Sequence, residues 1–451
     1  MTFKDFVLMF FIFVALLIIV YVIIALIRTV LFKNPYIKII KKPTLSSGKI
    51  NEYQKSMSYL MGNRLDKALL DLFPNAMKYG KLVYFRTGLM YVYRNNEIDA
   101  LSMLIDIPIY SADPNETNMG PQCVEGENTY HSKAEVYAVM DSIESILIAN
   151  KQMKLNIKIL MYDRSKTNQE MISYLFEKGE QFDIALGEGG KVLDPLSTNL
   201  KSFYSFVGVG INEKVKYRFS TQRDQKGNLR LASFIGDMLY SNHFEMKFDN
   251  ELEKYIIYAG RDMTYGNRFI LNNIRLLRKT ALKLVDEEMD YVSSAWKTHF
   301  VFDEVYYDDN TCYVDCEFYV SNNSSTKEVD EVINKYLLKH GIEKTCLFVE
   351  EKTKITSTRN KTYRRFIKVV ENAVSEAYIS PYIINKDISD RDIDKVGKCV
   401  VRFSPFYYPG EKINDNKVFD KVYYTSIDRA VTFYEELFKE FSKYEGKFIK
   451  E

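Results

Sequence analysis

The chain has 451 residues, 46% of them hydrophobic, with 62 basic and 60 acidic side chains. This length suffices for two or three domains with real cores, and the composition excludes an intrinsically disordered protein. The net charge of +2 lacks the domain-wide basic excess of nucleic-acid-binding proteins, so no nucleic-acid partner is expected.

Residues 6–27 contain no charged residue, no proline and no glycine. As a helix this run rises about 33 Å, enough to cross a hydrocarbon core of about 30 Å. Arg28 and Lys33 follow it, where a cleaved signal peptide would have small residues. We therefore predict an uncleaved, single-pass anchor within residues 1–32, with membrane lipid as the partner of residues 6–32. A buried core helix is the alternative.

The charges around the anchor predict its orientation. Lys4, offset by Asp5, precedes the apolar run. Between this run and Glu52 every charged residue is basic, namely Arg28, Lys33, Lys38, Lys41, Lys42 and Lys49. The positive-inside rule then places the large domain in the cytoplasm. Residues 33–50 form a basic linker, which also suits contact with anionic headgroups. Five cysteines without a paired framework agree with a reducing compartment.

The first part of the large domain, residues 51–206, alternates helices with strands. We predict helices at 51–73, 133–150 and 168–178, and strands at 81–87, 89–94, 99–107, 155–162 and 182–186. Such alternation is typical of a mainly parallel α/β sheet.

The pattern changes in residues 207–352. We predict strands at 215–221, 298–305, 311–320 and 345–350, helices at 229–240, 249–258 and 325–340, and a long basic and apolar stretch at 267–284. This order indicates a small α+β domain inserted into the larger one. Cys312 and Cys316 share a strand face, where packing is favoured over a shared zinc ion. A helix at 359–377 and a terminal strand and helix return residues 353–451 to the α/β unit.

Three short motifs give this order of segments a family resemblance. They are Glu188-Gly189-Gly190 after a strand, Ser380-Pro381-Tyr382, and the run from Val401 to Phe406. Over about residues 51–441 the chain resembles the zinc-dependent aminoacylase, acetylornithine deacetylase, succinyl-diaminopimelate desuccinylase and carboxypeptidase-S family of metallopeptidases. The resemblance implies a mixed sheet flanked by helices, with a ferredoxin-like insert that serves as a lid or as a homodimer contact.

The resemblance also implies two zinc ions, held by two histidines and three carboxylates, and a glutamate as general base. Most of these positions hold other residues here. The family positions are Leu104 for the first histidine, Asp106 for the aspartate that orients it, His131 for the bridging carboxylate, Ser165 for the next carboxylate, Glu188, and Asn414 for the last histidine. Asp106 is then expected to be a strand-end or helix-cap carboxylate.

The replaced residues lack the required chemistry. His131 offers one metal-facing lone pair, so it cannot bridge two ions, although it could bind one. Arg164, Ser165 and Lys166 occupy the position of the base and contain no glutamate, which indicates a solvated loop. Asn414 binds transition metals poorly. No catalytic residue and no cofactor are therefore expected.

Two positions that bind substrate in the family also differ. Tyr319 lies where the insert of the family carries an arginine for the substrate carboxylate, and Arg391 persists in a turn that has lost its histidine. Both are candidate binding residues, with surface positions as the alternative.

Two functional hypotheses result. The first is a non-catalytic relative that binds or scaffolds an unidentified protein or small molecule at the membrane. The second is an active hydrolase of N-acyl amino acids or short peptides, in which His131, Glu188 and a third group hold zinc.

Overall fold

The computed structural model of the chain describes residues 3–31, 45–95, 100–109, 118–127, 133–149, 153–193, 203–240, 244, 246–260, 263–288, 296–308, 310–373, 377–384, 391–408 and 419–443. The chain divides into two compact units. The insert unit comprises Met1–Ile37 and Asn212–Glu351, and the main unit comprises Lys38–Ile211 and Lys352–Glu451.

The helices, in chain order, are α1 (Phe3–Leu31), α2 (Ser47–Gly62), α3 (Leu65–Leu72), α4 (Pro74–Tyr79), α5 (Ala134–Ile148), α6 (Gln169–Glu177), α7 (Gln225–Tyr240), α8 (Asn250–Ala259), α9 (Tyr265–Asn272), α10 (Arg278–Glu288), α11 (Thr326–His340), α12 (Lys361–Ala373) and α13 (Tyr424–Ser442). Short 3-10 turns span Arg164–Lys166 and Arg391–Lys395.

The strands are β1 (Gly80–Tyr84), β2 (Gly88–Tyr93), β3 (Leu101–Ile109), β4 (Asn118–Met119), β5 (Cys123–Glu127), β6 (Leu155–Asp163), β7 (Ile184–Gly187), β8 (Lys191–Leu193), β9 (Phe203–Ile211), β10 (Lys214–Gln222), β11 (His299–Tyr307), β12 (Thr311–Tyr319), β13 (Glu343–Glu350), β14 (Ala377–Ile384), β15 (Val400–Arg402), β16 (Tyr407–Tyr408) and β17 (Phe419–Tyr423).

The main unit is built on a mixed sheet, in which ten strands lie within the described residues. Its order is β1-β2-β6-β3-β7-β15-β9-β8-β16, with β14 paired to β9. At the centre β3 runs parallel to both β6 and β7, and β7 runs parallel to β15. Strands that are covered on both faces have largely apolar sequences, and β3 and β6 are of this kind. Because β6, β3, β7 and β15 are parallel, their carboxyl ends meet at one edge of the sheet.

In the main unit α13 packs against both α5 and α12. α5 is buried along most of its length, because α13 covers the side that solvent would otherwise reach. A separate antiparallel sheet pairs β17 with β5 and β5 with β4, which joins the C-terminal region to the first part of the unit.

The insert unit contains an antiparallel sheet of order β11-β12-β10-β13. The strands follow the chain as strand, helices, strand, strand, helix, strand, with α7 and α11 as the helices that pack together. Cys312 and Cys316 are buried in the core of this unit, beside Phe219, Phe234 and Phe318. In the same unit α9 packs against α1.

Some predicted elements were wrong in detail. The helix predicted at 51–73 is two helices, since Asn63 adopts an extended backbone after α2. The helix predicted at 359–377 ends at Ala373, and Ala377 begins a strand whose Pro381 could not have continued a helix. β9 was not predicted, because Gly208 and Gly210 weaken its strand pattern.

Candidate functional site

The candidate site lies at the carboxyl edge of β3, β6 and β7. The register pairs Ile109 of β3 with Asp163 of β6, and Ile105 of β3 with Leu186 of β7. The turn that follows Asp163 therefore lies at this edge, as does Glu188, and Asp106 lies three residues before the end of β3. Parallel strands present such an edge as a common place for ligands.

Asp106 is buried, with 4% of its surface exposed. Tyr162 Oη donates a hydrogen bond of 2.9 Å to its Oδ2, and Asn168 Nδ2 donates one of 3.0 Å to its Oδ1. The expectation of a strand-end carboxylate was wrong, because β3 continues for three residues beyond Asp106. Instead the carboxylate joins β3 to β6 and to Asn168, the residue that precedes α6.

Leu104, at the position of the first ligand histidine, is fully buried on the same face of β3. Residues two apart in a strand point to the same side. Its neighbours are the apolar side chains of a core cluster, among them Leu160, Met171, Phe182, Ile393 and Val396. A leucine there contributes to packing and offers no donor atom to a metal.

The segment after β6 is a 3-10 turn, Arg164–Lys166. Asp163 accepts hydrogen bonds from the backbone N–H and the hydroxyl of Ser165, at 3.0 and 2.8 Å. Ser165 and Lys166 are exposed. The hydroxyl of Ser165 thus stabilises the turn.

The two glycines of the Glu188-Gly189-Gly190 segment are explained by the geometry of the backbone. Gly189 has a φ of +122°, a conformation that side-chain-bearing residues rarely adopt. At Gly190 an added Cβ would lie 2.1 Å from the carbonyl oxygen of Arg402 and 2.4 Å from that of Phe206. Both glycines are therefore required for the chain to pass between neighbouring strands, whatever Glu188 does.

Lys133, which directly precedes α5, has a structural contact as well. Its Nζ donates to the carbonyl oxygens of Leu60 and Asn63, at 2.8 and 3.0 Å, at the C-terminal end of α2. A cation stabilises the free carbonyl groups of a helix end. Burial lowers the pKa of this ammonium group.

Glu135 is a candidate that sequence reasoning missed. It lies in the first turn of α5, and Tyr434 Oη of α13 donates a hydrogen bond of 2.6 Å to it. Burial raises the pKa of Glu135 to about 7, the Tyr434 hydrogen bond lowers it, and the charge of Glu188 raises it. The two carboxyl groups thus interact. In the sequence, an acidic residue in a first helical turn reads as an ordinary exposed charge.

The predicted binding residues lie in different units. Arg391 opens a 3-10 turn of the main unit and is half-buried. Tyr319 ends β12 of the insert unit, where its ring stacks on His299 with centroids 4.9 Å apart and lies 5.5 Å from Lys214 Nζ. Its hydroxyl donates to Glu317 at 3.2 Å.

Two predicted positions, His131 and Asn414, lie outside the described residues. Among the residues that the structure does describe, no three His, Cys, Asp or Glu side chains come together as metal ligands would. The described ligand positions do not fit two zinc ions, because Leu104 has no donor atom and Ser165 has a hydroxyl, bonded to Asp163, in place of a carboxylate.

No protein-family model and no curated protein matches the sequence. Solved structures do match. An M20 family metallo-carboxypeptidase from Sulfolobus solfataricus is 13% identical, with a TM-score of 0.57, covering 88% of this chain and 99% of its own. Human carnosine dipeptidase 1 is 8% identical, with a TM-score of 0.58 and the same coverages. The dipeptidase Dug1p of Saccharomyces cerevisiae is 7% identical, with a TM-score of 0.55, and coverages of 88% and 98%. The chain therefore has the fold of M20 metallopeptidases.

Proposed function

We propose that this chain is a membrane-anchored protein with an M20 metallopeptidase fold that binds a partner or ligand and does not hydrolyse amide bonds. In this proposal the fold descends from the aminoacylase and carboxypeptidase-S branch that the sequence resembles. Residues 1–32 are the anchor and 33–50 the basic linker. Residues 51–206 and 353–451 form the α/β domain, and residues 207–352 are a lid that also suits a homodimer contact.

The observation that carries the proposal is the contrast between Leu104 and Asp106 on one strand face. In the family pattern an aspartate at this position orients a zinc-binding histidine. Here the histidine position is a fully buried leucine. The aspartate accepts hydrogen bonds from Tyr162 and Asn168, which join β3 to β6 and to the residue before α6.

Three other residues near the candidate site support the same conclusion. Lys133 donates hydrogen bonds at the C-terminal end of α2. Gly189 adopts a positive φ, and Gly190 leaves room for the carbonyl oxygens of neighbouring strands. Each has a structural reason to persist that does not require catalysis. A fold is kept by its packing, whereas function depends on the site built upon it.

The anchor is supported by α1, which is long and apolar enough to cross a membrane. Its side chains from Met9 to Leu31 are largely exposed, as lipid-facing residues would be. Together with the basic residues that follow, this supports a single-pass protein with its large domain in the cytoplasm.

A second candidate function is a rebuilt metallohydrolase, and one observation favours it. Glu135 is a half-buried residue whose carboxyl pKa is raised to about 7, with the charge of Glu188 among the causes. Perturbed carboxyl groups of this kind occur at active sites. In this candidate, Glu135, Glu188 and His131 would hold one zinc ion, which would activate water for cleavage of N-acyl amino acids or short peptides.

One experiment separates the two. The full chain is purified in detergent, its bound zinc is measured by mass spectrometry, and hydrolysis of a panel of N-acyl amino acids and dipeptides is followed. The matched variants are Glu188→Gln, Glu135→Gln and, as a control on an exposed helix residue, Glu177→Gln. We expect zinc content and hydrolysis to be the same in all four proteins and at background level.

Near-stoichiometric zinc that is lost in Glu188→Gln and Glu135→Gln but kept in Glu177→Gln would overturn the binding proposal. Turnover lost in the same two variants would establish the hydrolase instead. Binding itself is tested by crosslinking the chain in its native membrane and identifying what is retained by the wild type.

A further inference from the structure

Basic side chains are concentrated on the main unit, in the loop before α12 and on α12 itself. Residues 352–370 contain seven basic residues and no acidic one, although the whole chain carries a net charge of only +2. These seven residues, here called the basic patch, are Lys352, Lys354, Arg359, Lys361, Arg364, Arg365 and Lys368. All of them are exposed except Arg365, which is half-buried. The excess of positive charge is therefore local and lies at the surface.

Helical spacing places four members of the basic patch on one side of α12. They recur at each turn of the helix, namely Lys361, then Arg364 and Arg365, then Lys368. The opposite side of α12 is buried, and its Phe366 packs against Phe433 of α13 with ring centroids 5.9 Å apart. The packing of this apolar side fixes the cationic side toward solvent.

The loop before α12 is held along β9. The Thr353 backbone N–H donates to the carbonyl oxygen of Ile211 at 3.0 Å, and the Thr356 N–H donates to that of Val209 at 2.7 Å. The lysines on either side of Thr353 are exposed. The members of the basic patch in this loop therefore have a defined position, as those on α12 do.

Most of these charges are not neutralised within the protein. Five members of the basic patch make no ion pair with any residue that the structure describes, namely Lys352, Lys354, Arg359, Arg364 and Lys368. The acidic residues next to it in the sequence, Glu351 and Glu371, lie at its two ends. Like charges at close range repel one another, so an anionic partner stabilises such a surface.

The proposed anchor keeps one anionic surface within reach. Residues 32–46 lie between α1 and α2 and extend to about 55 Å at most. Lys49 of α2 pairs with Asp428 of α13, and Phe433, which contacts α12, lies five residues further along α13, or about 8 Å. With neighbouring helix axes about 10 Å apart, the start of α2 is about 30 Å or less from α12. The linker is thus long enough for the basic patch to reach the bilayer.

The composition of the patch favours lipid over nucleic acid. Single-stranded nucleic acids stack their bases on exposed aromatic rings, but both aromatic residues of this stretch, Tyr363 and Phe366, are buried. The large apolar side chain exposed there is that of Ile355, at 41%. Clustered basic side chains beside a membrane span are typical of segments that bind anionic headgroups. The linker that joins α1 to the main unit is basic as well.

We infer that the basic patch binds the anionic lipid headgroups of the membrane in which α1 is anchored. This inference rests on the proposed anchor. The ammonium and guanidinium groups contact phosphate and carboxylate groups of the lipids, and the main unit is thereby held against the bilayer at a second point. Each basic residue near such a surface favours docking about fivefold. The contact weakens as salt shortens the screening length from its physiological value of about 8 Å.

The test uses the full chain in vesicles, with its large domain outside and the exposed Cys346 replaced by serine. A cysteine introduced as Thr358→Cys, inside the basic patch, carries a fluorophore, and a fraction of the lipids carries quenching groups on the headgroups. The matched position is Ser173→Cys, which is exposed on α6, a helix that packs in the core cluster beside Leu104. Vesicles of neutral phosphatidylcholine are compared with vesicles that also contain phosphatidylserine.

We expect stronger quenching at position 358 than at position 173 in anionic vesicles, and equal quenching in neutral ones. Arg364→Gln combined with Lys368→Gln should lower the ratio of docked to undocked main unit by roughly 25-fold.

The control for net charge is Lys67→Gln combined with Lys81→Gln, two exposed positions elsewhere in the main unit. This pair removes the same charge and should leave the quenching unchanged. A loss of quenching as large as that of the α12 pair would show that the total charge attracts the protein, and would overturn the assignment to the basic patch.

Equal quenching at 358 and 173 in anionic vesicles, in a chain that alkaline extraction leaves in the membrane, would overturn the lipid contact and leave the anchor standing. Labelled duplex DNA or polyglutamate that binds the wild type and not the α12 variant, while position 358 stays unquenched, would assign the patch to nucleic acid or to an acidic protein instead. A chain that alkaline extraction removes would overturn the anchor proposal and this inference with it.

Discussion

Tyr162 donates a hydrogen bond of 2.9 Å to Asp106, and both side chains are buried. The phenol belongs to β6 and the carboxylate to β3, so the bond runs between two central parallel strands of the main unit. A carboxylate at a metal-site position therefore acts here as an internal polar link of the fold.

Tyr162→Phe tests this role. Removing the phenol leaves a buried carboxylate oxygen without this partner, so we expect the free energy of unfolding to fall by about 1.5–3 kcal/mol. Denaturant unfolding followed by circular dichroism measures it, with Tyr84→Phe as the control, since Tyr84 is 63% exposed. An equal effect of the two substitutions would show that the Asp106 link contributes nothing to stability.

The accuracy with which the sequence predicts an element depends on how far apart in the chain its contacting residues lie. β3, β6 and α5 were predicted to within two or three residues, because local periodicity determines them. The pairing of β9 with β14 joins segments more than 150 residues apart, and two glycines hide the strand pattern. No local pattern could reveal it.

At the candidate site, too, local motifs were found from the sequence and distant contacts were not. Leu104 and Asp106 were found from a short motif, but the partners of Asp106 come from β6 and from the residue before α6. Glu135 was missed because its hydrogen-bond partner Tyr434 lies 299 residues further along the chain. A carboxyl group with such a partner becomes visible only when the tertiary contact is known.

Gly190→Ala should destabilise the main unit strongly. A Cβ at this position would meet the carbonyl oxygens of Arg402 and Phe206 at 2.1 and 2.4 Å, and backbone atoms cannot turn away. We expect a loss of about 1–3 kcal/mol or more, as for other overpacked sites. Gly48→Ala in α2 is the control, because nothing lies within 4 Å of its added Cβ. Thermal unfolding compares the two, and equal midpoints would contradict the structural explanation of the Glu-Gly-Gly motif.

Asp394→Ala should be among the most destabilising single changes in the main unit. Its carboxylate pairs with the fully buried guanidinium of Arg402 at 2.5 Å. Loss of one partner leaves a buried charge, which costs about 3–5 kcal/mol. Asp66→Ala is the matched control, since it breaks a pair with Arg64, whose side chain is 84% exposed. Such an exposed pair contributes at most about 1 kcal/mol. Denaturant midpoints that shift alike in both variants would be incompatible with a buried pair.

Glu135→Gln should change how stability depends on pH. Burial raises the pKa of Glu135 from its ordinary 4.5 to about 7. Between these values the folded state binds a proton that the unfolded state does not, so the free energy of unfolding falls as the pH rises through this window. The loss above pH 7 reaches about 3 kcal/mol as an upper bound.

Glutamine stays neutral and still accepts the Tyr434 hydrogen bond. The variant should therefore be more stable than wild type at about pH 8 and equal to it at about pH 4. Asp141, whose pKa burial also raises to about 7, keeps part of the pH dependence in both proteins. Denaturant midpoints over this range, with Glu177→Gln as the exposed control, measure the difference. A wild type that is the more stable of the two at about pH 8 would mean that Glu135 is held as a stabilised carboxylate, and the sign argued from its burial would be wrong.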